Sequence, residues 1–327
     1  MSGETLLILN PASGAGRTGR RREAILDRVA ARLGPVEVAT TGGRGDATTI
    51  ARAATQRGVD RLLVAGGDGT TSEVVHGMLE AADALPPAPR LGLLPLGSGR
   101  DLARSLGLPR RLPGALDVIA ADHVQTIDAG RLEHRDASGR PSRRHFVNEA
   151  SAGLSGATVA RVGRLAKRVG PGVAFAVGAI SAILSHRPVE VAVDLDGVRQ
   201  YEGPVSLIVA ANGRSFGAGM QVAPGARLDD GLLEIVLVRG LTVPRLLSNL
   251  PSLYRGRHGG HPAVSFHAAR TLEVLPKALA APIDLDGESA GELPMRAEIL
   301  PGALRVFVDP ERVRSGTGEG RNRMREE

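Results

Sequence analysis

Hydrophobic and polar positions change rhythm near residue 128. Before it, short and almost wholly apolar runs at residues 6–9, 36–39, 62–65 and 91–94 read as buried strands. Between and after them, the stretches 20–33, 46–56, 70–79, 101–105 and 113–121 carry helical spacing, and a last strand ends at Asp128. Short strands alternating with helices predict a parallel sheet covered on both faces, with its ligand site at the carboxyl ends of the strands. Beyond Asp128, strands are expected at residues 189–195, 198–201, 205–210, 233–238, 271–275, 283–285 and 305–308. Asp196-Gly197 and Asp286-Gly287 read as hairpin turns, so this second half is expected to be mostly antiparallel. Helical stretches at 157–185 and 243–254 interrupt it, and the charged, glycine-containing tail 310–327 lacks apolar periodicity and reads as disordered.

Composition narrows the partners. With 327 residues and 42% hydrophobic content, the chain can build two domains with real cores. It has no cysteine, which removes disulfides and thiolate metal sites. An apolar strand follows Met1 almost directly, with no basic leader segment, and the longest apolar run, 173–184, is too short to span a bilayer. The expectation is a cytoplasmic protein. Its net charge of +6 is nearly all arginine, Lys167 and Lys277 being the only lysines, and suits an anionic partner such as a nucleotide, an acidic lipid surface or nucleic acid. Aromatic residues make up 2% of the chain, too few for base-stacking platforms, so nucleic acid ranks last.

Candidate chemistry gathers where three expected strands end. After residues 62–65 comes Gly66-Gly67-Asp68-Gly69-Thr70, whose glycines let backbone N–H groups approach a ligand while the next helix adds a positive dipole end. This is a phosphate cradle or, more plainly, a turn with Asp68 as a surface polar residue. Thr70 and Glu73 have the spacing of a capping box. After residues 6–9 comes Asn10-Pro11-Ala12-Ser13-Gly14-Ala15-Gly16, and Gly14, Gly16 and Gly19 match dinucleotide spacing. The strand at 36–39 nevertheless runs into Thr40 and Thr41, with Glu37 too early to hold a ribose, and no G-K-[ST] loop occurs anywhere. Asn10, Ser13, the amides of Gly14 to Gly16 and the nearby Arg17 then suit a phosphate. In the third loop, Pro95-Leu96-Gly97-Ser98-Gly99-Arg100-Asp101, Ser98 can donate to a phosphate, and Asp101 can hold metal-bound water or cap a helix.

These three loops, in this order, resemble the bacterial lipid kinase family that includes diacylglycerol kinase and is related to sphingosine and ceramide kinases. The resemblance continues through Asp128-x-Gly130, residues 148–153, Pro224-x-Ala226-x-x-x-Asp230-Gly231-x-Leu233 and Asp286-Gly287-Glu288. It implies an α/β plus β chain: a doubly wound nucleotide-binding domain over 1–128, of the kind shared with NAD kinases, and an antiparallel β-sandwich carrying the lipid substrate over 129–309. It implies ATP contacts from Asn10, Pro11, Ser13, Gly14, Thr41, Gly66, Gly67, Asp68, Gly69, Thr70, Glu73 and Ser98. Arg227, Asp230 and Leu232 would surround a magnesium ion (Mg2+), partly through backbone carbonyls. Glu288 would accept the proton of the lipid hydroxyl, and Asp68, Asp101 and Asp128 would form the acidic network around the catalytic magnesium. The chemistry is coherent, because phosphoryl transfer needs positioning and charge neutralisation more than covalent help.

Two positions depart from the family pattern. Ser98 stands where a threonine is usual and keeps the hydroxyl, whereas Arg100 stands where asparagine is usual. On the lipid side, Arg161, Arg164, Lys167 and Arg168 interleave with apolar residues and suit either an anionic membrane surface or a solvated helix face. Residues 173–184 could line an acyl-chain cleft or form ordinary core. His258 and His261 read as loop residues rather than metal ligands. The expected activity is phosphorylation of a lipid hydroxyl, most simply that of diacylglycerol, by an enzyme peripheral to the inner face of the membrane; a homodimer is admitted. The alternatives are an NAD kinase and a nucleotide- or lipid-binding sensor without catalysis.

Overall fold

The structure is a computed structural model in which residues 3–82, 88–169, 171–217, 219–278 and 281–311 are described. The chain divides into two compact units, one formed by Met1–Ile127 with the returning stretch from Gly302, the other by Asp128–Pro301.

The first unit is built from β1 (Thr5–Leu9), α1 (Arg17–Arg20), α2 (Arg22–Leu33), β2 (Glu37–Thr40), α3 (Asp46–Arg57), β3 (Arg61–Gly66), α4 (Asp68–Ala82), β4 (Arg90–Pro95), α5 (Asp101–Ser105) and α6 (Leu112–Ala120). Its sheet runs β4-β3-β1-β2, all parallel, and Leu6 to Leu9 and Leu62 to Ala65 are almost wholly buried, as strands covered on both faces should be. From β1 the chain steps one way to β2, then returns past β1 to β3 and on to β4. Right-handed crossovers in opposite directions place α2 on the face opposite α3 and α4, and α3 packs on α4 while α2 packs on α6. The reversal leaves a crevice at the carboxyl ends of β1 and β3, where sheets of this type bind ligands.

The second unit contains β5 (Val124–Arg135, which enters it at Asp128), β6 (Pro141–Phe146), β7 (Glu149–Gly153), α7 (Leu154–Val169), α8 (Pro171–Leu184), β8 (Val189–Leu195), β9 (Val198–Ala211), β10 (Leu233–Arg239), α9 (Val243–Tyr254), β11 (Val264–Ala269), β12 (Thr271–Pro276), β13 (Pro282–Leu285) and β14 (Glu288–Phe307). Two strands are long enough to serve two antiparallel layers. β9 pairs with β8 through its first half and with β10 and β7 through its second, and β14 pairs with β13 and then with β12. Side-chain alternation separates two cores. From β9 and β10, Ile208, Ala210, Leu233, Ile235 and Leu237 enter a core between the layers with Phe146, Val193, Leu272 and Met295. Leu207, Val209, Ala211, Val236 and Val238 enter a second core, where Ile183 of α8 and Leu246 of α9 cover them. Strands buried on both faces explain why these runs are uniformly apolar.

Three features differ from the sequence expectation. The strand expected to end at Asp128 continues to Arg135 and forms a hairpin with β6. Arg131, Glu133, Arg135, Arg143 and Arg144 conceal its alternation, because the buried partners between them include the polar His134 and His145. β7 and β11 were likewise not expected. Finally, residues 305–308, assigned from sequence to the second domain, do not join its layers: Arg305 and Val306 pair in parallel with β4. The side chains of Arg164, Lys167 and Arg168 and the tail beyond residue 311 lie outside the described residues.

Candidate active site

In the first unit the loops after β1, β3 and β4 are fastened to one another. The Asn10 N–H donates to the Ala65 carbonyl at 3.0 Å, and the Asn10 side-chain amide donates to the Thr70 hydroxyl at 2.8 Å. The Leu96 and Gly97 amides both donate to the Gly66 carbonyl at 3.0 Å. A Cβ on Gly97 would fall 2.4 Å from the Gly67 Cα, so the two loops touch backbone to backbone and no side chain fits there. Gly14 takes φ 61°, and a Cβ on it would meet the Leu96 carbonyl oxygen at 2.8 Å. Beside this contact Ser13 is buried with no hydrogen-bond partner for its hydroxyl among the described residues, and that hydroxyl lies 3.6 Å from where a Gly67 Cβ would sit. An orphaned buried hydroxyl facing glycine backbone is what an absent phosphate oxygen would satisfy.

Asp68 resolves its own oddity. Its two carboxylate oxygens accept the Arg100 N–H at 2.6 Å and the Asp101 N–H at 2.9 Å, so it clamps the third loop instead of repelling a ligand. Burial raises its pKa, and the two amides and Arg104 offset that only in part. Asp101 pairs with Arg104, which also donates to the Gly99 carbonyl at 3.1 Å. The Thr41 N–H donates to the Leu9 carbonyl at 3.0 Å, which places Thr41 beside the end of β1, and Ser98 is exposed. The capping box does not form. α4 begins at Asp68, so Thr70 lies within the first turn, and Glu73 accepts the Gly45 N–H at 2.9 Å, tying down the loop before α3.

In the second unit two clusters form. Asp128 donates its N–H to the Leu228 carbonyl at 2.6 Å and accepts the Gly231 N–H at 2.7 Å, clasping the 228–231 turn to β5. Asp230 accepts the Leu232 N–H at 3.1 Å, and Arg227 reaches Asp229 at 3.3 Å. Burial raises the pKa of Asp230 despite that amide and Arg227. Arg227, Asp230 and Leu232 share one cavity of about 220 Å³ with Glu234, Phe266 and His267. Gly130, two residues past Asp128, is a packing requirement: the Phe146 ring lies 2.0 Å from where its Cβ would be.

The second cluster surrounds Asp286-Gly287, whose φ values of 50° and 84° belong to a tight hairpin turn. The buried Asp286 carboxylate accepts three buried amides, from Val147 at 3.0 Å, Asn148 at 2.8 Å and Glu149 at 3.0 Å. Asn212, also buried, donates to the carbonyls of both Asp128 and Val147 at 3.0 and 2.8 Å, joining the two clusters. Glu288 follows the turn, partly exposed, with Arg144 at 3.7 Å. Behind it lie Glu149, with no exposed surface, and Asp284, whose carboxylate accepts the Gly287 N–H at 2.8 Å. Burial first, and the neighbouring Asp286 and Glu288 charges next, push the Asp284 pKa up to about 7; burial and the Asp284 charge push Glu149 up as well. Asp284 also borders an apolar cavity of about 60 Å³ lined by Leu154, Val159, Ile183, Leu207, Phe216 and Leu253 among others.

Sequence reading missed Asn212 and the Glu149–Asp284 pair. The available signals were an asparagine closing an apolar run before glycine, and an acid two residues ahead of Asp286 inside a buried strand. His258 is buried with a ring nitrogen 2.9 Å from the Val222 carbonyl and its ring against Phe266; the His261 ring accepts the Ala263 N–H at 3.1 Å.

Comparison with known proteins agrees with this layout. Residues 4–132 match the diacylglycerol kinase catalytic domain family, and residues 148–308 match the YegS C-terminal NAD kinase beta sandwich-like domain family. The chain is 33% identical over 303 residues to a protein of Chromohalobacter salexigens named "Probable lipid kinase YegS-like", covering 92% of each. It is 29% identical to a diacylglycerol kinase of Staphylococcus haemolyticus over 289 residues, 88% of this chain and 83% of that one. The fold is shared with the crystal structure of a diacylglycerol kinase from Bacillus anthracis, with a TM-score of 0.70 at 23% identity over 94% and 98% of the two chains. An NAD kinase from Archaeoglobus fulgidus, solved with ATP, is more distant in fold, at a TM-score of 0.51 and 15% identity over 97% and 98%. The sandwich unit, the glycine loops and these relatives together show that the chain belongs to the diacylglycerol kinase-like lipid kinase family and is an ATP-dependent kinase.

Proposed function

We propose that the protein transfers the γ-phosphate of ATP to the hydroxyl of diacylglycerol at a cytoplasmic membrane surface. The observation that carries the nucleotide half is the uncommitted, buried Ser13 hydroxyl within the backbone-to-backbone cradle of Gly14, Gly67 and Gly97. Asn10, Thr41 and Thr70 shape that cradle, and Asp68 keeps the third loop closed upon it. Diacylglycerol is assigned because it is the substrate in the name of the Staphylococcus relative.

Asp230, with the carbonyls of Arg227 and Leu232, would hold magnesium: one carboxylate and two carbonyls form the hard-oxygen set this ion takes, with water completing it. Magnesium bound to this family of kinases supplies charge neutralisation for phosphoryl transfer. Glu288 accepts the proton of the lipid hydroxyl as the oxygen attacks. It is partly exposed and directly follows the Asp286-Gly287 turn, whereas Glu149 and Asp284 behind it are buried and have raised pKa values, so Glu288 is the acid of this cluster that a substrate hydroxyl could reach. The cavity beside Asp284 has room for the first few methylenes of a chain.

Membrane contact is supported by exposed apolar residues on α8 and α9, which pack together, and by basic residues on α7 and α9 and in the chain that follows α8 and α9. No acidic residue occurs between Glu149 and Glu190 or between Glu234 and Glu273, whereas Arg161, Arg187, Arg245, Arg255 and Arg257 do occur there. Val177, Ile180 and Leu184 on α8 and Leu247 and Tyr254 on α9 are exposed. Basic residues near an anionic bilayer contribute roughly 1 kcal/mol each. Among the described residues no helix is long and apolar enough to cross a membrane.

The test is product identification with labelled ATP and magnesium, offering micellar diacylglycerol, phosphatidylglycerol, a sphingoid base and, without detergent, NAD. Label in phosphatidic acid supports the proposal. Label in another lipid replaces the acceptor, label in NADP replaces the reading with NAD kinase, and nucleotide binding without any product favours a sensor.

A further inference from the structure

Arg100 sits immediately before α5 with φ 60° and ψ 40°. Among the described residues only four other non-glycine residues take positive φ, three aspartates and one alanine, so Arg100 is the one long side chain in this conformation. The geometry is imposed by Asp68, which accepts the Arg100 N–H at 2.6 Å. Glycine or asparagine meets that backbone requirement more easily, so the turn itself gives no reason for arginine.

Nor does local pairing. The guanidinium of Arg100 makes no hydrogen bond or ion pair among the described residues, although the residue is partly buried. The neighbouring Arg104 is committed to Asp101 and the Gly99 carbonyl, and of the arginines that follow the first loop, Arg17 donates to the Gly14 carbonyl at 2.8 Å and Arg20 to the Ala15 carbonyl at 3.4 Å. Asp68, the nearby anion, spends both oxygens on amides. Burial, then the like charges of Arg110 and Arg104, depress the Arg100 pKa, and the Asp68 charge offsets this only in part. Three residues back along the loop, Gly97 touches Gly67, beside the nine-tenths buried and unpartnered Ser13 hydroxyl.

We propose that Arg100 is a phosphate-binding residue of the nucleotide site, its free guanidinium pairing with the terminal phosphates of ATP held in the cradle of Ser13, Gly14, Gly67 and Gly97. This rests on the ATP reading above and adds to it a charged contact supplied by the third loop. A planar guanidinium forms paired, charge-assisted hydrogen bonds with phosphate oxygens, which a neutral amide cannot replace.

The experiment measures the binding of ATP, ADP, AMP and adenosine to the wild type, Arg100→Asn and Arg100→Lys, together with thermal melting. Asparagine suits the left-handed backbone, so Arg100→Asn is expected to melt no lower than the wild type while losing ATP affinity about tenfold or more. The loss is expected to shrink through ADP and AMP and vanish for adenosine, with Arg100→Lys recovering part of it. Equal ATP affinity in wild type and Arg100→Asn overturns the inference alone. Equal losses for ATP and adenosine overturn it in favour of a contact to the base or a structural role. A wild type that binds none of the four nucleotides overturns the ATP reading and this inference with it.

Discussion

Between β8 and β9 the chain reverses at Asp196-Gly197, and between β13 and β14 at Asp286-Gly287, with φ values of 50° and 80° in the first turn and 50° and 84° in the second. Both aspartates cap the amides of another segment: Asp196 accepts the Arg270 and Thr271 N–H groups at 2.9 and 2.8 Å, and Asp286 accepts those of Val147, Asn148 and Glu149. Their surroundings differ. Asp196 is exposed and followed by Val198, while Asp286 is 7% exposed, flanked by buried Glu149 and Asp284, and followed by Glu288. The turn is therefore a general device for holding a strand. At Asp286 burial and the neighbouring acids Glu149 and Asp284, both with raised pKa values, are added to that device.

The largest expected contrast is catalytic. Glu288→Gln should lower lipid-dependent turnover by about 10² to 10⁴, the usual contribution of a general base, whereas Val198→Ala at the matching position of the other turn should leave it unchanged. Coupled measurement of ADP release for both variants checks this. Next comes stability. Asp286→Ala leaves three buried amides without acceptors and should cost about 3 to 5 kcal/mol, whereas the amides released by Asp196→Ala can turn to water, for a cost of about 1 kcal/mol. Urea unfolding of the two variants gives the difference directly.

A smaller effect is expected in the pH dependence of stability. The folded-state pKa of Asp284 is raised to about 7, so folding favours its protonated form. Its stabilising contribution is full below the unfolded value near 4 and is lost progressively as pH climbs to about 7; Glu149, raised in the same direction, extends the loss upward. Wild-type stability should fall across this window, and Asp284→Asn should flatten that slope. An unchanged slope would remove the acid pair from the account.

The sequence carried much of this because the strongest signals are local. Apolar runs ending in glycine loops located β1, β3 and β4 and the residues fastened at their ends, and both Asp-Gly turns form where they were expected. What it could not carry depends on distant partners. Thr70 and Glu73 have capping-box spacing, yet Asn10 and the Gly45 amide claim them from other loops. Asp68 looks like a ligand until the third loop folds onto it. Glu149 and Asp284 are 135 positions apart and meet only because β7 pairs with β13. The charged hairpin of β5 and β6 defeats alternation because its buried positions include two histidines, His134 on the face of Leu132 and Phe146 and His145 on the other.

The most direct test of the central claim, that the loops of the first unit hold nucleotide while the Asp286 turn of the second supplies the base, is to measure ATP affinity and turnover on diacylglycerol with the same Glu288→Gln preparation. The account expects wild-type ATP affinity with turnover reduced at least about a hundredfold. Turnover within a few-fold of wild type, or a parallel loss of ATP binding, would contradict it.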